Sequence, residues 1–277
     1  MTAATAPGAA SVRRPTRGGA AFSALAAGAL VFELLFVLAV VVGLVLFTDL
    51  SSLRSVLTSA ESIFALRLTL VTVTVTTLVC MVLAVPAAYA LSRFRIPCAA
   101  LVDTLLDLPI VMPPIAAGLA LLVLFGYYLG EPMLKAGIYL PYTQPGLVVA
   151  QVFATMTFSV RSVKAAFDSV PQRLPLVAQT LGSSPWSAFC RVVLPLARNG
   201  LVAGTVLTWA RAMGLFGPVV MFCGATRFRT TVVPTAIYLH NSTGRLEEAA
   251  AGTLLLMLVA LLVLIIFKRL GGRGYLW

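Results

Sequence analysis

Residues 170–195 read VPQRLPLVAQTLGSSPWSAFCRVVLP and lie between two long apolar runs. Pro175 suits the first position of a helix, where its missing N–H is not needed. Gly182 suits the left-handed position just past a helix end. Ser184 can cap a second helix, which the next proline begins and which Pro195 is expected to end. The stretch therefore predicts two short helices joined by a glycine turn.

The composition of the whole chain indicates a membrane protein. Hydrophobic residues make up 60% of the sequence and charged residues only 10%, whereas soluble domains have roughly 45–50% and 25%. The mean hydropathy is +1.01. Lipid must therefore cover most of the exterior. The net charge of +11 does not require a nucleic-acid partner, because basic residues collect on the cytoplasmic side of membrane proteins.

Six apolar runs are candidates for transmembrane helices, which need about 20 residues each. They cover residues 21–47, 63–91, 99–125, 146–160, 199–222 and 249–267. Lipid-exposed strand edges do not occur in the hydrocarbon region, so all six are read as helices. The sequence predicts an all-α membrane protein with about six transmembrane helices.

The distribution of lysine and arginine predicts the orientation. With the N-terminus inside, thirteen basic residues lie on the cytoplasmic side, six lie outside, and Arg211 lies within a span. Both termini are then cytoplasmic. We expect a disordered cytoplasmic tail at 1–19, a transmembrane domain at 20–270 with a long cytoplasmic loop at 161–198, and a cytoplasmic tail at 271–277.

The loop resembles the signature of ABC importer permeases, which is EAA, three residues, Gly, nine residues, an aliphatic residue, one residue and Leu-Pro. Gly182, Val192, Leu194 and Pro195 match at that spacing. The resemblance implies the type I ABC importer permease fold, with a cytoplasmic coupling helix that sits in a groove of the ATPase. The residues so implicated are Arg173, Leu176, Val177, Ala178, Gln179, Gly182, Ser183, Ser184, Trp186, Leu194 and Pro195. Leu176 stands where the family has glutamate, so Arg173 or Gln179 would dock instead.

Two further stretches resemble molybdate-type permeases. Residues 108–119, LPIVMPPIAAGL, are similar to the family's LPxVLPPxxxGL, and residues 209–250 carry its Arg-Ala-x-Gly-x-Phe-Gly core and the run that follows. Leu215 departs from the usual glutamate. The resemblance implies import of a tetrahedral oxyanion, molybdate or tungstate, into the cytoplasm. The alternatives are a permease for sulfate or another small solute, or a secondary transporter.

The same resemblance implies the partners. The chain has no phosphate-loop motif, and none of Lys135, Lys164 and Lys268 follows a glycine. We therefore expect no catalytic site and no cofactor in this chain, with ATP and magnesium on two partner ATPase subunits. The other expected partners are an extracytoplasmic substrate-binding protein, a second permease copy forming a homodimer, and the lipid bilayer of a prokaryotic inner membrane. The lone His240 cannot form a multi-histidine metal site.

Two spans are candidates for the translocation path, because broken helices are tolerated where they line a cavity. Their residues are Pro109, Pro113, Pro114, Arg211, Gly214, Gly217 and Pro218. An unpaired Arg211 in mid-membrane would cost about 2.5–3.5 kcal/mol, so it either meets an anion in the path or has an acidic or carbonyl partner. Asp103 and Asp107 share one helix face and are expected to pair with cytoplasmic basic groups.

Overall fold

A computed structural model describes residues 17–270, and every regular element in that range is a helix. The chain divides into two units. The first contains α1, Arg17–Phe47, and the second begins at Thr48. The predicted tails at 1–19 and 271–277 lie outside the described residues, apart from 17–19, which belong to α1.

The second unit is built from long and short helices. In chain order they are α2 (Leu50–Thr58), α3 (Ala60–Arg93), α4 (Ala99–Val111), α5 (Pro114–Leu122), α6 (Gly130–Lys135), α7 (Gln144–Asp168), α8 (Arg173–Thr180), α9 (Pro185–Ala188), α10 (Leu194–Met213), α11 (Gly217–Cys223), α12 (Val233–Ser242) and α13 (Leu246–Leu270). Two π-helical turns, Val123–Tyr128 and Phe189–Val193, extend α5 and join α9 to α10.

The predicted number of spans is confirmed. Five stretches are long and apolar enough to cross a membrane: Phe22–Phe47, Ala60–Arg93, Gln144–Asp168, Pro185–Met213 and Leu246–Phe267. The pair Ala99–Val111 and Pro114–Tyr128 qualifies when taken together, although it is bent by 107°. Counting the bent pair as one span gives six among residues 17–270.

Two proline predictions were wrong. Pro195 does not end the second short helix, because the helical path from α9 continues into α10 as one stretch, Pro185–Met213. The proline is the second residue of α10, directly after a π-helical turn, and a widened turn accommodates a residue that cannot donate an N–H. Pro109 likewise does not break its helix, since α4 runs on to Val111.

The expected loop at 161–198 is also shorter than predicted. Helix α7 continues to Asp168 and α9 begins at Pro185. Between them lies α8, which begins at Arg173, two residues before the proline expected to start it. The loop is therefore mostly helical and is held at both ends by long helices.

Helices α3 and α7 form the centre of the second unit and run in the same direction. Thr76 Oγ1 donates a hydrogen bond to Gln151 Oε1 at 2.8 Å. Cys80 Sγ lies 3.4 Å from Thr155 Oγ1. Both pairs are 75 residues apart in sequence, so the two helices keep a constant register. A hydroxyl–amide pair and a thiol–hydroxyl pair thus satisfy polar groups in a buried seam between the two helices.

Helix α10 packs closely against α7 in the opposite direction. Ser159 Oγ and Thr208 Oγ1 are 2.9 Å apart. A Cβ added at Gly200 would lie 2.5 Å from Ala166 Cβ, and one added at Gly204 would lie 3.1 Å from a side-chain carbon of α7. The two glycines, four residues apart, therefore permit the close helix contact that small residues give in membranes.

Candidate functional site

The loop between α7 and α10 has the predicted glycine turn. Gly182 has φ +91°. The N–H of Gly182 donates to Gln179 O, and the N–H of Ser183 donates to Ala178 O, both at 3.0 Å. This pair of bonds is the Schellman motif that ends helices at a left-handed residue. Ser184 then caps α9, accepting from the N–H of Ser187 at 3.2 Å, as the sequence indicated.

The positions that the sequence assigns to coupling form an exposed surface with apolar side chains. Leu176 is 59% exposed, Val177 54% and Trp186 73%. Arg173 and Gln179 are exposed on α8 as well. Leu194 and Pro195 lie farther along, at the start of α10, so the structure separates them from the α8 surface. Large exposed apolar side chains next to charged ones are typical of a protein interface.

The base of this loop is held to α3 by Arg93, one of the basic residues on the predicted cytoplasmic side. Arg93 Nη2 donates to the carbonyls of Phe167 and Val170, each at 2.7 Å. Ser92 Oγ donates to Asp168 Oδ1 at 2.6 Å. A cation thereby meets one carbonyl in the last turn of α7 and one two residues beyond its end, a position that also favours the helix C-terminus.

Aromatic rings reinforce the same junction. Tyr89 on α3 contacts Phe167 on α7 and Phe189 in the π-helical turn, with ring centroids 5.7 and 4.7 Å apart. Trp186 lies 5.7 Å from Phe189. These rings therefore join α9 and the π-helical turn to both α3 and α7 by direct packing.

The two broken spans meet at their breaks. A Cβ added at Gly217, the first residue of α11, would lie 2.6 Å from Pro114 Cβ. One added at Gly118 in α5 would lie 2.7 Å from Met221 Cβ. The breaks at Pro113–Pro114 and Gly214–Pro218 were predicted separately, and the structure brings them into direct contact.

Arg211 lies beside this junction, three residues before the first glycine of the break. Its guanidinium carbon is 3.7 Å from the centre of the Phe158 ring. Phe158 is near the middle of α7, Gln144–Asp168, so Arg211 lies alongside the central part of this helix. Its residue is exposed, and no carboxylate within residues 17–270 forms an ion pair with it. Of the two expected roles, pairing with an acidic group is therefore not seen in the described part of the chain.

Both carboxylates of α4 are paired with one arginine, in line with the basic partners that the sequence predicted. Arg161 on α7 donates to Asp103 Oδ1 at 2.9 Å and to Asp107 Oδ2 at 2.8 Å. Thr157 Oγ1 on the same helix donates to Leu106 O at 2.6 Å. Helix α4 is therefore fastened to α7, and its two carboxylates do not act as free anions.

Comparison with known proteins identifies the family. Residues 81–273 match the model of the binding-protein-dependent transport system inner membrane component. The chain belongs to this family. These proteins are the permease subunits of ABC importers, which are not themselves catalytic.

Several curated permeases are similar over most of their length. The molybdenum transport system permease protein ModB of Mycobacterium tuberculosis is 34% identical over 234 residues, covering 84% of this chain and 88% of that protein. The Azotobacter vinelandii ModB is 34% identical over 220 residues, covering 78% and 96%. The sulfate transport system permease protein CysT of Escherichia coli is 33% identical over 221 residues, covering 79% of both.

A solved structure agrees with the fold. A chain of the bacterial ABC transporter that imports the acidic polysaccharide alginate superposes with a TM-score of 0.76, covering 91% of this chain and 95% of that one at 18% identity. The permease therefore has the type I ABC importer fold. At this identity the likeness concerns the fold alone.

Proposed function

We propose that this permease moves a tetrahedral oxyanion, molybdate or tungstate, into the cytoplasm. The observation that carries the proposal is Arg211, a guanidinium held beside the middle of α7 and next to two broken helices. Molybdate and tungstate are tetrahedral dianions whose oxygens can accept paired hydrogen bonds from a guanidinium fork. The ring of Phe158 holds the guanidinium by its face and, having no formal charge, leaves it free to attract an anion. The similarity to molybdenum permeases supports this substrate class.

Sulfate is the second candidate. The 33% identity to a sulfate permease favours it, and sulfate has the same shape and charge as molybdate. Sulfate is smaller than molybdate and differs from it chiefly in the spacing of its oxygens. Because one arginine could bind either anion, transport measurements are needed to distinguish the two substrates.

The coupling surface on α8 and α9 is proposed to dock into the ATPase. Two ATPase subunits would bind ATP and magnesium, and this chain would contribute no catalytic residue. Leu176, Val177 and Trp186 would fill the groove with apolar contacts. Arg173 or Gln179 would provide a polar contact in place of the acidic one in the family signature. Gly182 and Ser184 fix the turn, and Leu194 and Pro195 continue the path into α10.

The proposed cycle is alternating access. Movement of the coupling surface would be transmitted through Phe189 and Tyr89 to α3 and α7, and from α7 to the breaks at Pro114 and Gly217. An extracytoplasmic binding protein would deliver the oxyanion, and a second copy of this permease would complete the path. Both termini would face the cytoplasm from the inner membrane of a prokaryote.

Gene deletion tests the substrate. Cells lacking this gene are measured for uptake of molybdate, tungstate and sulfate at limiting supply, with the restored gene and an Arg211→Gln allele as comparisons. Selective loss of molybdate or tungstate uptake is expected. Loss of sulfate uptake alone would select the second candidate, and unchanged uptake of all three would refute oxyanion import by this permease.

Substitution on α8 tests the coupling surface. Leu176→Ser should reduce the amount of ATPase that co-purifies with the permease and lower ATP hydrolysis by the complex. Thr180→Ser, on the same helix, retains the hydroxyl that donates to Val177 O and is the matched control. Equal ATPase recovery in both variants would show that this surface does not dock.

A further inference from the structure

A cavity of about 580 Å³ lies at the end of the bundle opposite the coupling loop. Its walls come from α3, from the start of α7 and from the segment before α12. The lining includes Ile63, Phe64, Arg67, Val71, Gln144 and Phe228. All of these residues belong to the second unit of the chain, and none takes part in the proposed substrate path.

The level of this cavity follows from the length of α3. The helix has 34 residues, which span about 51 Å at 1.5 Å per residue. A hydrocarbon core of about 30 Å, centred on α3, leaves about 10 Å of helix beyond it at each end. Arg67 is seven residues from Ala60, where α3 begins, so it lies at the boundary between the hydrocarbon and the headgroups.

The register of α7 agrees with this level. The 75-residue offset that pairs Thr76 with Gln151 places Gln144, the first residue of α7, level with Thr69 on α3. Helix α7 therefore begins at the depth of Arg67. The two polar side chains that line the cavity, Arg67 and Gln144, lie at one level of the bilayer.

Arg67 has no anionic partner in the described part of the chain. Its side chain is exposed, and no ion pair or hydrogen bond involves it within residues 17–270. An unneutralised cation at the edge of hydrocarbon is unfavourable unless an anion or water meets it. Phosphate oxygens of lipid headgroups are the anions present at that level.

An exposed apolar stripe continues from Arg67 toward the membrane centre. It runs along one face of α3 at positions 71, 75, 78 and 82, a spacing that keeps side chains on one side of a helix. Val71 is 59% exposed, Leu78 62% and Val82 71%. A cation at the headgroup level followed by an apolar stripe matches the order of phosphate and acyl chain in a phospholipid.

We infer that this cavity binds one membrane phospholipid. The Arg67 guanidinium and the Gln144 amide donate hydrogen bonds to the phosphate. The rings of Phe64 and Phe228, whose centroids are 5.8 Å apart, cover the glycerol region. An acyl chain lies along Val71 and Leu78. Free phosphate cannot use the stripe, so the occupant is a lipid.

Native mass spectrometry of the purified full-length permease in mild detergent tests this site. The protein is titrated with phosphatidylglycerol, with diacylglycerol of the same chains, and with inorganic phosphate. The wild type is expected to bind one phosphatidylglycerol per chain in preference to diacylglycerol and inorganic phosphate. Arg67→Gln should weaken this binding by about tenfold or more, since hydrogen bonds to charged groups are the strong ones. Diacylglycerol and phosphate should not displace the lipid.

Two further variants complete the experiment. Arg54→Gln changes an exposed arginine on α2 and should bind lipid as the wild type does. Val71→Trp keeps Arg67 but fills the stripe, and it should also lose the bound lipid. The site is refuted if Arg67→Gln binds phosphatidylglycerol as tightly as the wild type, or if diacylglycerol binds equally well.

The measurement also separates a second copy of the chain from a lipid as the occupant. If Arg67→Gln abolishes the permease dimer while lipid binding is unchanged, the surface is a protein contact and the inference is wrong. The result does not depend on the transported substrate, so it stands or fails separately from the proposed function.

Discussion

The guanidinium carbon of Arg211 lies 3.7 Å from the centre of the Phe158 ring, which puts an arginine that has no acidic partner within residues 17–270 beside the middle of α7. A cation over an aromatic face is stabilised by about 0.5–2 kcal/mol. The ring thereby fixes the position of the charge without cancelling it. A carboxylate partner would have held the arginine in place too, but would have repelled an oxyanion.

Replacing Arg211 by glutamine is expected to lower oxyanion uptake by more than about tenfold, since hydrogen bonds to charged groups contribute about 1.5–3 kcal/mol. Arg211→Lys should restore part of the rate, because lysine keeps the charge but loses the paired donors. The measurement is the initial rate of uptake in cells with equal amounts of membrane-inserted permease. Arg229→Gln, at an exposed position outside the spans, is the control. A wild-type rate in Arg211→Gln would show that the residue is structural.

The contact between the two breaks predicts that alanine substitution at two glycines of one segment will affect stability differently. Gly217→Ala would place a Cβ 2.6 Å from Pro114 Cβ and force α5 and α11 apart, which typically costs about 1–3 kcal/mol. Gly214→Ala meets no atom within 4 Å and should be nearly neutral. Thermal unfolding in detergent measures both. Equal unfolding temperatures for the two variants would contradict the close packing of the breaks.

The features that the sequence predicts correctly depend on residues close together in the chain. The left-handed residue at Gly182 and the cap at Ser184 depend on neighbours within one turn. The break at Pro113–Pro114 depends on missing N–H donors, and apolar length alone gives the spans. The pairing of Asp103 and Asp107 with a basic residue followed from their shared face, although the partner, Arg161, was not identified.

Contacts between distant segments could not be predicted. Nothing near Pro195 in sequence indicates the π-helical turn that lets the helix continue through it. From the sequence, Arg93 indicates only the cytoplasmic side of the membrane. Its hydrogen-bond partners, the carbonyls of Phe167 and Val170, are more than 70 residues away in sequence. The contact of Gly217 with Pro114 likewise joins two separately broken spans. Such pairings are decided by packing in three dimensions.

The hydrogen bonds of Arg93 predict that substitutions at Arg93 and at the nearby Arg95 will differ in their effect on stability. Arg93→Gln removes a cation that bonds the carbonyls of Phe167 and Val170, on either side of the end of α7. The free energy of unfolding should fall by about 1–3 kcal/mol because those acceptors lose a charged donor. Arg95→Gln, at an exposed position nearby, should change it little. Thermal unfolding of the purified permease compares the two. If Arg95→Gln proves as damaging, the hydrogen bonds of Arg93 are not the cause.

His240 on α12 predicts how stability varies with pH. Burial lowers the pKa of this imidazole, and Arg245 lowers it further, while Glu248 and Glu61 act in the opposite direction and Arg227 acts with Arg245. Its buried Nδ1 has no hydrogen-bond partner within residues 17–270. A proton added to this ring in the folded protein therefore meets a poorly solvated site.

The sign of the effect follows from comparing the folded and unfolded states. Unfolded histidine takes up its proton near pH 6.5, and the folded ring does so only at lower pH. Below about pH 6.5 the unfolded state binds more protons, so the free energy of unfolding should decrease as the pH falls through that window. His240→Gln should flatten this part of the profile, because the chain has no other histidine. Unfolding temperatures at several pH values between about 7.5 and 5.5 measure the difference, and parallel profiles for wild type and variant would show that His240 titrates normally.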